Sequence, residues 1–209
     1  IFEHMHNIEY FKSVIGYFRA SGYFAIRKHL PETLKVKIIA GINVDPFIAL
    51  AQKQGLLFNA NAKDTKQSFI ESIQEDIINA KYGQEIEEGI LQLINDIADN
   101  RIEIRAHNSK KLHSKFYIFL SPNFNEHNPN GTVIMGSSNL SAQGLGLENV
   151  EHNYEMNVEL RDYENVKFAD TEFEMLWSQS TPILPVDAPS LLKKTYLDIN
   201  PTPFELYIK

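Results

Sequence analysis

Leu112-His113-Ser114-Lys115-Phe116-Tyr117-Ile118-Phe119 is the stretch on which the reading of this chain turns. Its second half is aromatic and β-prone, which predicts a strand over 116–119. Side chains two apart on a strand share a face. His113 and Lys115 are therefore expected to point the same way at the strand's beginning, with Phe116 and Ile118 facing a core. An imidazole beside an ammonium suits an anionic substrate: the ring can act as nucleophile or acid, and the ammonium can hold a phosphate oxygen. Taken alone, a His-x-Lys pair is more often solvated surface than a site.

Downstream, an apolar strand over Thr132 to Met135 runs into the small-residue turn Gly136-Ser137-Ser138-Asn139. Gly136 lets the backbone come close to a ligand. Ser137 and Asn139, again two apart, could donate hydrogen bonds to one phosphate. Beyond them a strand over Glu155 to Leu160 is expected, part of an alternation that places Asn153, Glu155, Asn157 and Glu159 on one face. A carboxylate there could hold the far nitrogen of an imidazole and fix its tautomer.

Upstream, Val14 to Phe18 and Val36 to Ala40 read as strands, the second a continuous apolar run typical of burial on both faces. A helix is expected over Tyr23 to Leu30, stopping at Pro31. Another starts at Asp45 and Pro46 and runs to about Gln54. Residues 65–99 carry two amphipathic faces, one of Phe69, Ile70, Ile73, Ile77 and Ile78, the other of Ile86, Ile90, Leu93, Ile94 and Ile97, with a break at Gly83. Ile102 to Arg105 returns to strand spacing. Glu164 to Trp177 returns to helical spacing through Val166, Phe168, Phe173, Leu176 and Trp177. This order predicts an α/β fold with a mixed sheet. Residues 1–181 form the expected domain, and 182–209, with five of the nine prolines, a Pro-rich tail or linker.

The chain's 209 residues suit one domain with its own core. Zero cysteines exclude a disulfide framework, a zinc ribbon and thiol catalysis, and fit a reducing, cytoplasmic compartment. No apolar run approaches the length of a transmembrane helix. The first residue is Ile1, not Met, and no secretion signal follows, so the chain is expected to be a piece of a longer protein. A net charge of −7 argues against attachment to nucleic acid by bulk charge. One segment runs against that balance: Arg101, Arg105, Lys110, Lys111 and Lys115 are opposed only by Glu103, and this patch is a candidate track for backbone phosphates.

His-x-Lys, a spacer, Gly-Ser-x-Asn and a downstream acid, in that order, resemble the motif of the phospholipase D superfamily. Here the motif reads His113, Lys115, Gly136, Ser137, Asn139 and Glu155. Gly16-Tyr17-Phe18, Ser21-Gly22-Tyr23, Ser138-Asn139-Leu140-Ser141 and Gly144-Leu145 look most like the phospholipase D-like nuclease domains attached to bacterial helicases and restriction systems. The family often carries an Asp five residues after the Lys; Leu120 stands there instead.

The resemblance implies a mixed β-sheet flanked by helices on both faces. It also implies a metal-independent phosphodiesterase working through a phosphohistidine, with no cofactor. His113 would be the nucleophile, Lys115, Asn139 and Ser137 would stabilise the phosphorus oxygens, and Glu155 would orient His113. Arg105, Lys110, Lys111 and Ser138 are the candidate substrate contacts. DNA is the expected substrate, and a helicase or ATPase domain a possible neighbour. The chemistry needs two histidines and the chain has one His-x-Lys, so a two-fold homodimer sharing one site is expected. A silent DNA-binding or dimerisation module and a lipid phosphodiesterase are the alternatives.

Overall fold

The computed structural model describes residues 1–41, 61–79, 84–107, 112–146, 154–193, 195 and 197. Strand β1 (Tyr10–Ile15) leads into helix α1 (Ala20–Arg27) and strand β2 (Lys35–Gly41). Helices α2 (Ala62–Asn79) and α3 (Gln84–Ala98) then lead to β3 (Ile102–His107). Three strands follow, β4 (Phe116–Leu120), β5 (Gly131–Gly136) and β6 (Asn157–Leu160). Helix α4 (Tyr163–Gln179), the short strand β7 (Thr181–Ile183) and a 3-10 turn (Pro185–Leu191) complete the order. The expected helix over Asp45 to Gln54 and the break at Gly83 lie outside the described residues.

The strands form one mixed seven-stranded sheet in the order β6-β5-β4-β1-β2-β3-β7. β1, β2 and β3 run parallel, whereas β4 pairs with β1 antiparallel and β5 and β6 continue as a meander. The chain leaves β1 toward β2 on one side and later places β4 on the other. That reversal is a topological switch point, and α/β sheets bind ligands in the crevice outside the strand ends at such points.

The sheet separates two apolar layers, because alternate side chains face opposite ways. One layer joins Phe11, Ile15, Ile38, Ile104, Tyr117 and Phe119 to Tyr23 of α1, Phe69 and Ile73 of α2 and Leu93 of α3. The other joins Val14, Ile39, Ile118, Leu120 and Val133 to Val166, Phe173 and Trp177 of α4. Each large side chain removed from water contributes roughly 1.5–3 kcal/mol. Helices therefore cover both faces of the sheet. Phe116 and Ile118 face a core as expected, but so do Tyr117 and Phe119, since β4 is central. Leu120 is 4% exposed inside the α4 layer, so the position of the family's Asp is here a packed apolar one.

Local chemistry fixes the helix starts. The Asn61 side chain accepts the Asp64 N–H at 2.9 Å before α2, and Asp162 accepts that of Asn165 at 3.0 Å before α4. Asp96 of α3, 3% exposed, accepts hydrogen bonds from the Tyr23 hydroxyl and from Arg27 of α1, tying the two helices together.

Two apolar positions fall off their expected faces. Ile78 is 55% exposed at the end of α2, and Phe168 is 65% exposed on the outer side of α4. The tail expected from residue 182 begins as packed structure. β7 pairs antiparallel with β3, and Ile183, Ala188, Leu191 and Leu192 join the first core layer. Prolines suit this segment because β7 is an edge strand and needs no outward N–H donor.

Candidate active site

The strand ends that meet at the crevice carry the motif residues. Lys115 lies one residue before β4, Ser137 one residue after β5, Glu155 two residues before β6, and Gly16 directly follows β1. His113 and Lys115 thus sit on an extended lead-in rather than inside the strand. Their exposures differ sharply. His113 is exposed, and among the described residues its ring has no hydrogen-bond partner. Lys115 is 6% exposed, and its Nζ donates to the His113 carbonyl oxygen at 2.8 Å. Burial lowers the Lys115 pKa, and the negative charge of Glu155 only partly opposes that. Among the described residues Lys115 forms no ion pair.

Gly16 explains how the groups come together. A Cβ placed there would lie 3.5 Å from Lys115 Nζ, 3.5 Å from Asn139 Oδ1 and 3.2 Å from the Leu112 carbonyl oxygen. The ammonium and the amide are therefore neighbours across a position that a larger side chain would crowd. The Tyr17 N–H donates to Asn139 Oδ1 at 3.3 Å. A backbone N–H can only donate, so the amide's oxygen faces Tyr17 and its NH2 is left to donate elsewhere. The sequence reading did not assign this anchor; the signal was the Gly-Tyr pair that directly follows β1.

Ser137 and Glu155 form the other half. The Ser137 hydroxyl donates to the Glu155 carboxylate and accepts the Met156 N–H at 3.0 Å. Glu155 was expected to orient His113; the contact it makes in this structure is with Ser137. Glu155 lies outside β6 and is not fixed by strand alternation, which explains the difference. Gly136 was expected to admit a ligand. A Cβ on it would fall 2.2 Å from the Met156 carbonyl oxygen, so the close approach is of one strand to the next.

The candidate substrate contacts divide. Ser138 is 4% exposed; its hydroxyl accepts from Asn157 Nδ2 at 2.8 Å and its carbonyl accepts from the Tyr117 hydroxyl at 2.8 Å. It is an internal strut. Burial, with Glu155 adding to it, raises the Tyr117 pKa and keeps that donor protonated. Arg105 turns to the α4 face, where its Nη1 donates to the Trp177 carbonyl at 2.8 Å and its guanidinium lies 4.4 Å from the Trp177 ring centroid. Arg101 sits before β3, bonded to Glu32 and to the Leu30 carbonyl at 3.2 Å. The six residues of β3 separate it from the crevice by about 20 Å. Lys110, Lys111 and Asn153 lie outside the described residues. Of the expected basic track, only Lys115 is described at the site.

One further histidine shares this end of the sheet. His107, at the end of β3, is 5% exposed and bonds through Nδ1 to Ser180 Oγ at 2.9 Å. The Ser180 hydroxyl donates to the Leu176 carbonyl at 2.7 Å, so Nδ1 carries the proton. Burial lowers the His107 pKa, which keeps the ring neutral as a tether between β3 and the end of α4.

In solved structures the chain is similar to a phospholipase D family member, Nuc from Salmonella typhimurium, at 14% identity over 87% of this chain and 86% of that one, with a TM-score of 0.45. It is similar to NucT from Helicobacter pylori at 16% identity over 87% of each chain, also with a TM-score of 0.45. No curated protein matches the chain. The family described as cardiolipin synthase, PLD-like domain, matches residues 34–177, a span that includes His113, Lys115, Ser137, Asn139 and Glu155. A match over more than half of its length places the chain in the phospholipase D-like family.

Proposed function

We propose that this crevice hydrolyses phosphodiesters of DNA without a metal, through a phosphohistidine. The observation that carries the reading is Lys115: an ammonium 6% exposed, without an ion pair among the described residues, bonded to the His113 carbonyl and next to the anchored Asn139 amide. A buried cation without a counter-charge is costly, and a bound phosphate oxygen supplies that charge.

His113 attacks phosphorus, forming a P–N bond as the P–O bond to the leaving group breaks. A second histidine gives its proton to the departing alkoxide. That histidine then deprotonates water, which attacks phosphorus and breaks the P–N bond. Lys115 and the Asn139 NH2 stabilise the charge that builds on the non-bridging oxygens. Glu155 holds the Ser137 hydroxyl in place beside them. The second histidine comes from another copy of the chain, with the two sites meeting on a two-fold axis. A helicase or restriction partner would bring the DNA.

The test is incubation with DNA in EDTA beside His113→Ala. Cutting by the parent chain alone, with dimers seen by sedimentation, supports the proposal. DNA retained but never cut supports instead a silent binding module, the reading that Leu120 in place of the family's Asp favours. Turnover of phosphatidylcholine without DNA affinity moves the substrate to lipid.

A further inference from the structure

We infer that Tyr17 and Tyr154 are stacking platforms for unpaired nucleobases beside the phosphate site, so that the substrate class is single-stranded nucleic acid. The inference rests on the proposed phosphodiesterase reading and names its substrate more closely.

The other described tyrosines are engaged. Tyr23 and Tyr117 are buried with their hydroxyls bonded to Asp96 and Ser138. Tyr10 lies under Lys35, and Tyr163 packs against Phe124. Tyr17 and Tyr154 have no ring contact and no hydroxyl partner among the described residues, and they are 52% and 96% exposed.

Their positions in the chain tie both to the catalytic groups. The Tyr17 N–H holds Asn139, so its ring starts within one side-chain length of the amide. Tyr154 directly precedes Glu155, which holds Ser137. By backbone position Tyr17 adjoins the Asn139 half of the site and Tyr154 the Ser137 half. Exposed rings of this kind bind bases of any sequence, because every base has a π-face. Paired bases have that face occupied inside the duplex. A chain of net charge −7 also gains little from bulk attraction to phosphates, so stacking would add affinity beyond the local phosphate contacts.

The experiment measures binding by fluorescence anisotropy, with cleavage in EDTA followed in parallel. The probes are a labelled single-stranded DNA, its duplex, and an abasic strand of equal length. Tyr17→Ala and Tyr154→Ala should each weaken single-strand binding by roughly tenfold, the effect of losing one stacked base. Tyr17→Phe and Tyr154→Phe keep the ring and should bind like the parent chain, which separates stacking from misfolding. The duplex and the abasic strand should bind weakly and be indifferent to all four substitutions. Equal binding of the abasic and normal strands, or alanine variants that bind like the parent, overturns the inference even if DNA is cut. Ring-dependent binding without cleavage leaves the stacking role standing and removes the phosphodiesterase reading.

Discussion

Two lysines are buried in the same sheet with opposite outcomes. Lys12, in β1, is 5% exposed, and Lys115, before β4, is 6% exposed. Lys12 donates to Asp170 and, at 2.8 Å, to Glu174 of α4. Burial alone would lower its pKa, but hydrogen bonds and charge from those two carboxylates outweigh burial and raise it. Lys115 has a carbonyl for a partner, with Glu155 acting only through space, and its pKa is lowered. The first is a finished ion pair that fastens α4 to the sheet. The second has no ion pair among the described residues, which is what the proposed phosphate-binding role requires. Solvent exposure is nearly the same in both, so what distinguishes a candidate binding lysine from a structural one here is the partner.

The largest test of the contrast removes each cation while keeping its volume. Lys115→Met should lower kcat/KM on DNA by about 100- to 1,000-fold, the usual loss of one charge-stabilising donor. Its melting temperature should stay level or rise, because an uncompensated buried charge disappears. A parallel loss of stability would make Lys115 a structural lysine like Lys12.

Lys12→Met should do the reverse. It leaves Asp170 facing an apolar group and Glu174 with only Lys37 at 3.8 Å, a loss of ~3 kcal/mol and about 10 °C in melting temperature. Turnover by the folded fraction should persist, since Lys12 points to α4 and away from the crevice. Thermal melting with activity corrected for folded fraction checks both halves.

The smallest expected effect is in alkaline solution, and its sign differs between the two residues. The Lys12 pKa is raised, so its contribution is present below the ordinary lysine value of 10.5 and is lost as pH rises through the higher folded value. The Lys115 pKa is lowered, so the folded chain sheds that proton first and gains stability from this group as pH climbs toward 10.5. The alkaline limb of kcat/KM, which reports the free enzyme, should therefore lie below 10.5. A limb at or above that value would contradict the lowered pKa.

Much of this was legible in residue order. The apolar run Val36 to Ala40 fell inside β2, and the alternation from Ile102 opened β3, because strands buried on both faces leave strong local patterns. Two strand starts were less legible: β1 begins at Tyr10, before Val14, and β6 at Asn157, after Glu155. Pairing decides where a strand begins, and β6 pairs with β5 only from Asn157. In the basic track, Arg101 and Arg105 lie near Lys115 along the chain but not in space, while Lys110 and Lys111 lie outside the described residues. Extended backbone carries a side chain away by about 3.3 Å per residue, and successive residues turn to opposite faces. Arg105 consequently stacks on Trp177 while Lys115 reaches the crevice.

By itself the sequence determined the alternation of helices and strands, the order His113, Lys115, Ser137, Asn139 and Glu155, and the family those residues resemble. Only the tertiary structure decided that Gly16 and the Tyr17 N–H set the ammonium and the amide side by side, and that Glu155 holds Ser137. The physical reason is range. Periodicity and composition act over a few residues, whereas the partner of a buried charge is supplied by segments that meet only when β4 is laid against β1.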